Sequence, residues 1–110
     1  MYVDDCVEGL IRLMASDYSE PLNLGTDRLI SINGLVDLVS GIANKDLEKR
    51  HDLDKPQGVR GRNSDNRRLR EVLGWEPAIT LESGLSITYA WVQRELEKAG
   101  RITNRQRARV

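Results

Sequence analysis

The chain has 110 residues, 17 basic and 17 acidic side chains for zero net charge, and 39% apolar residues, a balance that fits one small soluble globular domain and excludes a disordered chain. It has no Phe, and aromatics are only 5%, so any core must be built from Leu, Ile and Val and is thin for the length. A single cysteine, Cys6, excludes an intrachain disulfide or a CxxC site, and no apolar run approaches the ~18 residues of a membrane span.

Residues 1–3 read as the end of a strand. From Asp4 the period changes, with Val7, Leu10, Ile11 and Met14 at i, i+3, i+4 and i+7, which predicts an amphipathic helix of about three turns. Asp4 or Asp5 can cap that helix, or the two can act as paired carboxylates; adjacent helix positions do not face one another, which favours capping. Cys6 reads as a small buried hydrophobe within it. The acidic start Met1-Tyr2-Val3-Asp4-Asp5 is unlike a basic secretory signal, so a reducing cytoplasm is the expected location.

Leu22-Asn23-Leu24-Gly25-Thr26 alternates as a short strand does. Ser31 is positioned to cap a second helix with Leu35, Val36, Val39, Ile42 and Ala43 on one face. Leu47 to Leu53 reads as an exposed strand. His51 lies in it without a nearby ligand set, so it is read as a surface histidine and not a metal ligand or base.

The stretch Gly58-Val59-Arg60-Gly61-Arg62-Asn63-Ser64-Asp65-Asn66 is the chain's candidate anion site. Two glycines allow sharp turns and close approach, and guanidinium groups grip phosphate oxygens bidentately. Asp65 stands where a helix cap belongs, ahead of Leu69, Val72 and Leu73, with Gly74 as the stop. The competing reading is a solvated basic loop, since charge runs are ordinarily solvent-facing. Charge is uneven along the chain: residues 55–70 carry six bases against Asp65, whereas residues 1–20 carry five acids against Arg12. An anionic ligand can therefore be met locally by a neutral protein. After the turn at Trp75-Glu76-Pro77, Thr80 is positioned to cap a last helix with Leu81, Leu85, Tyr89, Val92 and Leu96 at helical spacing. Tyr89 and Trp91 read as packing residues. The domain reading is 1–99 as one folded unit and 100–110 as an Arg-rich disordered tail.

Nothing in these residues performs a reaction. The chain has no Tyr-x-x-x-Lys pair, no glycine-rich phosphate fingerprint and no Ser/His/Asp arrangement. Taken in series, however, several segments resemble one family. Tyr2-Val3-Asp4-Asp5 with Val7-Glu8-Gly9, then Leu22-Asn23-Leu24-Gly25 with Ser31-Ile32-Asn33, resemble motifs of the extended short-chain dehydrogenases/reductases that act on nucleotide sugars. Asp65, Leu73-Gly74-Trp75 with Pro77, and Leu81 with Gly84-Leu85 through Trp91 are similar to the ending of that family. The resemblance runs over roughly residues 2–98, in order.

That resemblance implies an α/β fold: a small mixed helix–strand C-terminal domain of an NAD-dependent sugar-nucleotide epimerase or dehydratase, with the Rossmann core absent. It implies a fragment that is inactive alone, with no catalytic, cofactor-binding or metal residue of its own. NAD is the cofactor of the full-length family and is not expected to bind this chain. By motif match Arg62 contacts the nucleotide diphosphate; Arg60 and Asn63 follow by adjacency. The implied ligand is a GDP-sugar or another nucleotide sugar, and the implied macromolecular partner is the missing Rossmann domain or a second copy. The alternative is a non-catalytic binding or oligomerisation module that contacts nucleic acid through its basic loop and tail; sparse aromatics and overall neutrality argue against it.

Overall fold

Four helices occur among the described residues: α1 (Val3–Met14), α2 (Ile32–Ile42), α3 (Arg67–Leu73) and α4 (Leu81–Lys98). They are seen in a computed structural model that describes residues 1–101. Residues 102–110, most of the expected tail, lie outside the described residues. No strand occurs among the described residues, so the expected helix–strand mixture is helical here. By their contacts the described residues divide into two compact units, Met1–Ile30 with Pro56–Leu81, and Ser31–Lys55 with residues 82–101.

In the first unit, Met1 and Tyr2 do not end a strand; Tyr2 is the extended residue before α1. Neither Asp4 nor Asp5 caps that helix, although both lie in its first turn and complement its positive end. Asp5 is buried and accepts hydrogen bonds from the backbone N–H groups of Ala78 at 3.3 Å and Ile79 at 2.9 Å. One turn on, Gly9 is buried too, and a Cβ there would stand 2.6 Å from Leu24 Cδ1 and 2.8 Å from the Trp75 ring. The absence of a side chain at Gly9 is what lets Leu24 and Trp75 close on the helix. Arg12, another turn on, lies 5.7 Å from the centre of the Trp75 ring, within cation–π range.

The inward side of α1 is thus made by Asp5 and Gly9, and the expected apolar face points the other way. Val7, Leu10, Ile11 and Met14 are all exposed. Cys6 is half-buried. The apolar period of the sequence marks which residues share this face, and periodicity says nothing about what covers it. Leu69 of α3, at 1% exposure, is the hydrophobic side chain fully buried among the described residues. Complete burial of one such side chain contributes about 1.5–3 kcal/mol.

Leu22–Thr26 is not a strand. A strand needs a ladder, and here the carbonyl of Thr26 accepts one backbone bond, from Ser64 at 2.8 Å. α3 ends as expected at Gly74, whose left-handed φ of 56° lets its N–H return to the Arg70 carbonyl at 2.9 Å. Asp65 is not formally the cap, since Asn66 holds that position without a side-chain bond. Asp65 nevertheless accepts from the Arg67 N–H at 3.1 Å, satisfying one of the helix's orphan donors.

In the second unit Ser31 caps α2 as expected, its hydroxyl accepting from the Gly34 N–H at 3.0 Å. Leu35, Val36, Val39, Ile42 and Ala43 are half-buried on one face. Residues 47–53 are exposed but are not a strand. Lys49 pairs with Asp37, and His51 Nε2 lies 3.1 Å from Asn33 Oδ1. Lys49 and His51, two residues apart, reach one polar face of α2, so the stretch lies on a helix and has no neighbouring strand to pair with among the described residues. α4 begins directly after Thr80 and closes with Gly100 at a φ of 66°, the N–H of Arg101 bonding the Leu96 carbonyl at 3.0 Å. Trp91 and Val92 are exposed on it, whereas Tyr89 is half-buried.

Candidate functional site

The arginine loop is held from one side by its polar residues. Asn63 donates from Nδ2 to the Asp27 carbonyl at 2.9 Å, the Ser64 N–H reaches Thr26, and Asn66 donates from Nδ2 to the Gly25 carbonyl at 3.0 Å. Three attachments within four residues lay the loop along residues 25–27. Gly58 opens it with a φ of 65°, and at Gly61 a Cβ would come 3.1 Å from Leu29 Cδ1, so the backbone passes close over that side chain. Asn66 is only 4% exposed, and its Oδ1, like the Ser64 hydroxyl, is buried without a protein partner.

The cations sort into two groups. Arg67 closes a bidentate pair on Asp65, with Nε 3.1 Å from Oδ1 and Nη2 2.6 Å from Oδ2. Arg70 pairs with Glu76 at 2.7 Å, and Arg12 with Glu8 at 2.6 Å. The guanidinium and N–H bonds from Arg67 hold the Asp65 carboxyl down at about 2, against an ordinary 3.8. Arg60, Arg62 and Arg68 are exposed and make no hydrogen bond or ion pair among the described residues. The positive charge available to a ligand is therefore narrower than the six bases of residues 55–70 suggest.

The structure brings the three expected residues together on one loop but gives them different duties. Arg60 and Arg62 extend from it, while the Asn63 amide is engaged in holding it down. An open recess of about 400 Å³ lies beside the loop's end, lined by Pro21, Leu22, Asn23, Asp65, Arg67, Arg68, Leu69 and Glu71. None of the three expected residues lines it. Sequence reasoning did not find the anchoring role of Asn66 or its acceptor Gly25. Their bond spans 41 residues, and no local pattern marks such a pair. His51 is exposed and bonded as described, and no cluster of metal-ligating side chains occurs among the described residues.

Comparison with known proteins finds no matching family model. Individual relatives do match. GDP-mannose 3,5-epimerase of Arabidopsis thaliana is 45% identical over 97 residues, 88% of this chain and 26% of the enzyme. GDP-mannose 3,5-epimerase 1 of Oryza sativa subsp. japonica is 42% identical over 97 residues, 25% of its length. UDP-glucuronic acid decarboxylase 6 of Arabidopsis thaliana is 37% identical over 86 residues, 78% of this chain and 25% of the enzyme. The chain thus spans about a quarter of the length of the curated relatives it matches.

Proposed function

The chain belongs to the extended short-chain dehydrogenase/reductase family, and from that premise we propose that it is the nucleotide-sugar-binding portion of a GDP-mannose 3,5-epimerase-like enzyme, inactive by itself. Arg62 grips the diphosphate, with Arg60 beside it as a second cation. Asn63 acts mainly by holding the loop, and its amide oxygen and second N–H are the groups it can still offer to a ligand. The observation that carries this reading is the contrast in pairing: Arg60 and Arg62 extend unpaired from an anchored loop, while Arg67 is taken up by Asp65. A fixed backbone with uncommitted guanidinium groups suits a diphosphate, which bidentate charge-assisted bonds hold well.

NAD, the cofactor of the homologous family, does not fit the residues of this chain. A dinucleotide site needs a glycine-rich turn between a strand and a helix, and neither the fingerprint nor a strand occurs among the described residues. The proton-transfer pair is likewise missing from the sequence. The purified chain supplied with NAD and GDP-mannose is expected to give no turnover, and measurable epimerisation would reject the inactive-fragment reading.

The binding role is tested by calorimetric titration of GDP and GDP-mannose into a chimera, in which this segment replaces its counterpart in the Arabidopsis epimerase. A charge-assisted contact contributes about 1.5–3 kcal/mol, so Arg62→Ala is expected to cost on the order of ten- to a hundred-fold in affinity. Arg67→Ala should cost little, because Asp65 already neutralises that side chain. Equal losses would indicate a diffuse basic patch, and no loss at Arg62 would move the site elsewhere.

A further inference from the structure

The arginine loop and residues 25–29 run antiparallel, and their contacts step along both segments in register. Asn66 meets Gly25, Ser64 meets Thr26, Asn63 meets Asp27, and Gly61 meets Leu29. The first three contacts are hydrogen bonds. The last is apolar: a Cβ at Gly61 would lie 3.1 Å from Leu29 Cδ1 and 3.4 Å from Cδ2, so the bare backbone rests against both methyl groups. Leu29 is nevertheless 59% exposed and belongs to no core.

Residues 58–62 make no hydrogen bond among the described residues, so the Leu29 contact lies beyond the last bonded position, on the way to the left-handed Gly58. The two exposed guanidinium groups depend on it unequally. Arg62 adjoins the bonded Asn63 and is held without Leu29. Arg60 lies on the far side of Gly61, where the contact with Leu29 limits how far the backbone can move. A group fixed before binding loses less freedom on contact, so holding Arg60 raises affinity only for a ligand that reaches it. One guanidinium can grip a monophosphate bidentately, whereas a diphosphate offers its second phosphoryl group to the next cation.

We infer that Leu29 is a positioning residue, which holds Arg60 in place beside Arg62 and thereby sets a preference for two linked phosphoryl groups over one. The inference rests on the binding role proposed above for the loop, and adds the residue that makes its second cation effective. Leu29 acts through the backbone of Gly61 and need not touch the ligand.

The test is calorimetric titration of GDP and GMP into the chimera with the Arabidopsis epimerase, in parent and variant forms. Leu29→Ala is expected to weaken GDP roughly two- to tenfold, the cost of ordering one long side chain, and to leave GMP unchanged. Arg60→Ala should weaken GDP as well, and adding Leu29→Ala to it should cost nothing further, because that arm of the loop no longer carries a cation. Gly61→Ala should weaken GDP by pushing the loop off Leu29, and pairing it with Leu29→Ala should recover part of the loss. Unaltered GDP affinity in Leu29→Ala overturns the inference. So do equal losses for GDP and GMP, or a full effect of Leu29→Ala once Arg60 is gone. Hydrogen exchange at the Ser64 amide is expected to stay unchanged in Leu29→Ala; acceleration there would show the bonded half of the loop to have moved, which also overturns it. Arg62→Ala separates the two failures. If it costs neither nucleotide any affinity, the binding role is wrong and the inference falls with it, whereas a loss at Arg62 beside none at Leu29 removes the inference alone.

Discussion

Asp5 Oδ2 accepts a hydrogen bond from the backbone N–H of Ile79 at 2.9 Å, joining the first turn of α1 to a residue 74 positions later. The second carboxylate oxygen accepts from Ala78 at 3.3 Å. A residue that looks like a helix cap is instead a buried clasp for the turn that leads into α4, and Asp4 beside it stays exposed. Replacing Asp5 by Ala leaves two amide groups without their acceptor. Since hydrogen bonds to charged groups contribute about 1.5–3 kcal/mol each, a loss on the order of 3 kcal/mol is expected. Urea denaturation measures it, with Asp4→Ala as the control that changes little.

Gly9 and Gly41 should respond to alanine in opposite directions. At Gly9 the new methyl meets Leu24 and the Trp75 ring below 3.0 Å, whereas at Gly41 nothing lies within 4 Å. Overpacking costs about 1–3 kcal/mol, which at Gly9 outweighs the roughly 1 kcal/mol that alanine contributes to a helix. Gly41→Ala, near the end of α2, keeps only the favourable term and should gain up to about 1 kcal/mol. Thermal melts of the two variants against the parent chain decide the point, and equal signs would contradict this account of the α1 contact.

Asp65 should titrate at about 2 in the folded chain. Because its pKa is depressed below the ordinary 3.8, the pair with Arg67 stabilises the fold fully above pH ~4 and loses that contribution as pH falls through about 2. Following the Asp65 carboxyl by NMR gives the midpoint directly. Arg67→Ala is expected to move it back up towards 3.8, since the Arg67 guanidinium is the largest cause of the shift. A midpoint that stays put in that variant would show the pair to be open in solution.

Asn66→Asp tests the loop's attachment. The substitution keeps the shape but turns the donor facing the Gly25 carbonyl into a carboxylate oxygen, at a position 4% exposed. A buried charge without a donor costs more than the 1–3 kcal/mol of a neutral orphan, so about 3 kcal/mol or more should be lost. Hydrogen exchange at the Ser64 amide, which bonds Thr26 in the parent chain, should accelerate with it. Unchanged exchange would mean that Asn63 and the backbone hold the loop without Asn66.

Where local chemistry is enough, the residues alone determined the structure. The Ser31 hydroxyl bonds an amide three residues on, Gly74 turns left-handed at the end of α3, and the apolar spacing from Leu81 carries a long last helix. The arginine loop and the family motifs were likewise legible from side-chain types in order. The strands expected at Leu22–Thr26 and Leu47–Leu53 were not decided locally, because a strand exists only with a partner, and each stretch instead found a loop or a helix face. The direction in which α1 points its apolar stripe, the clasp from Asp5 and the hold of Asn66 on Gly25 depend on contacts between residues far apart in sequence. Only the tertiary structure decided those, because the energy of a buried carboxylate or amide is set by the donors and acceptors that folding brings to it.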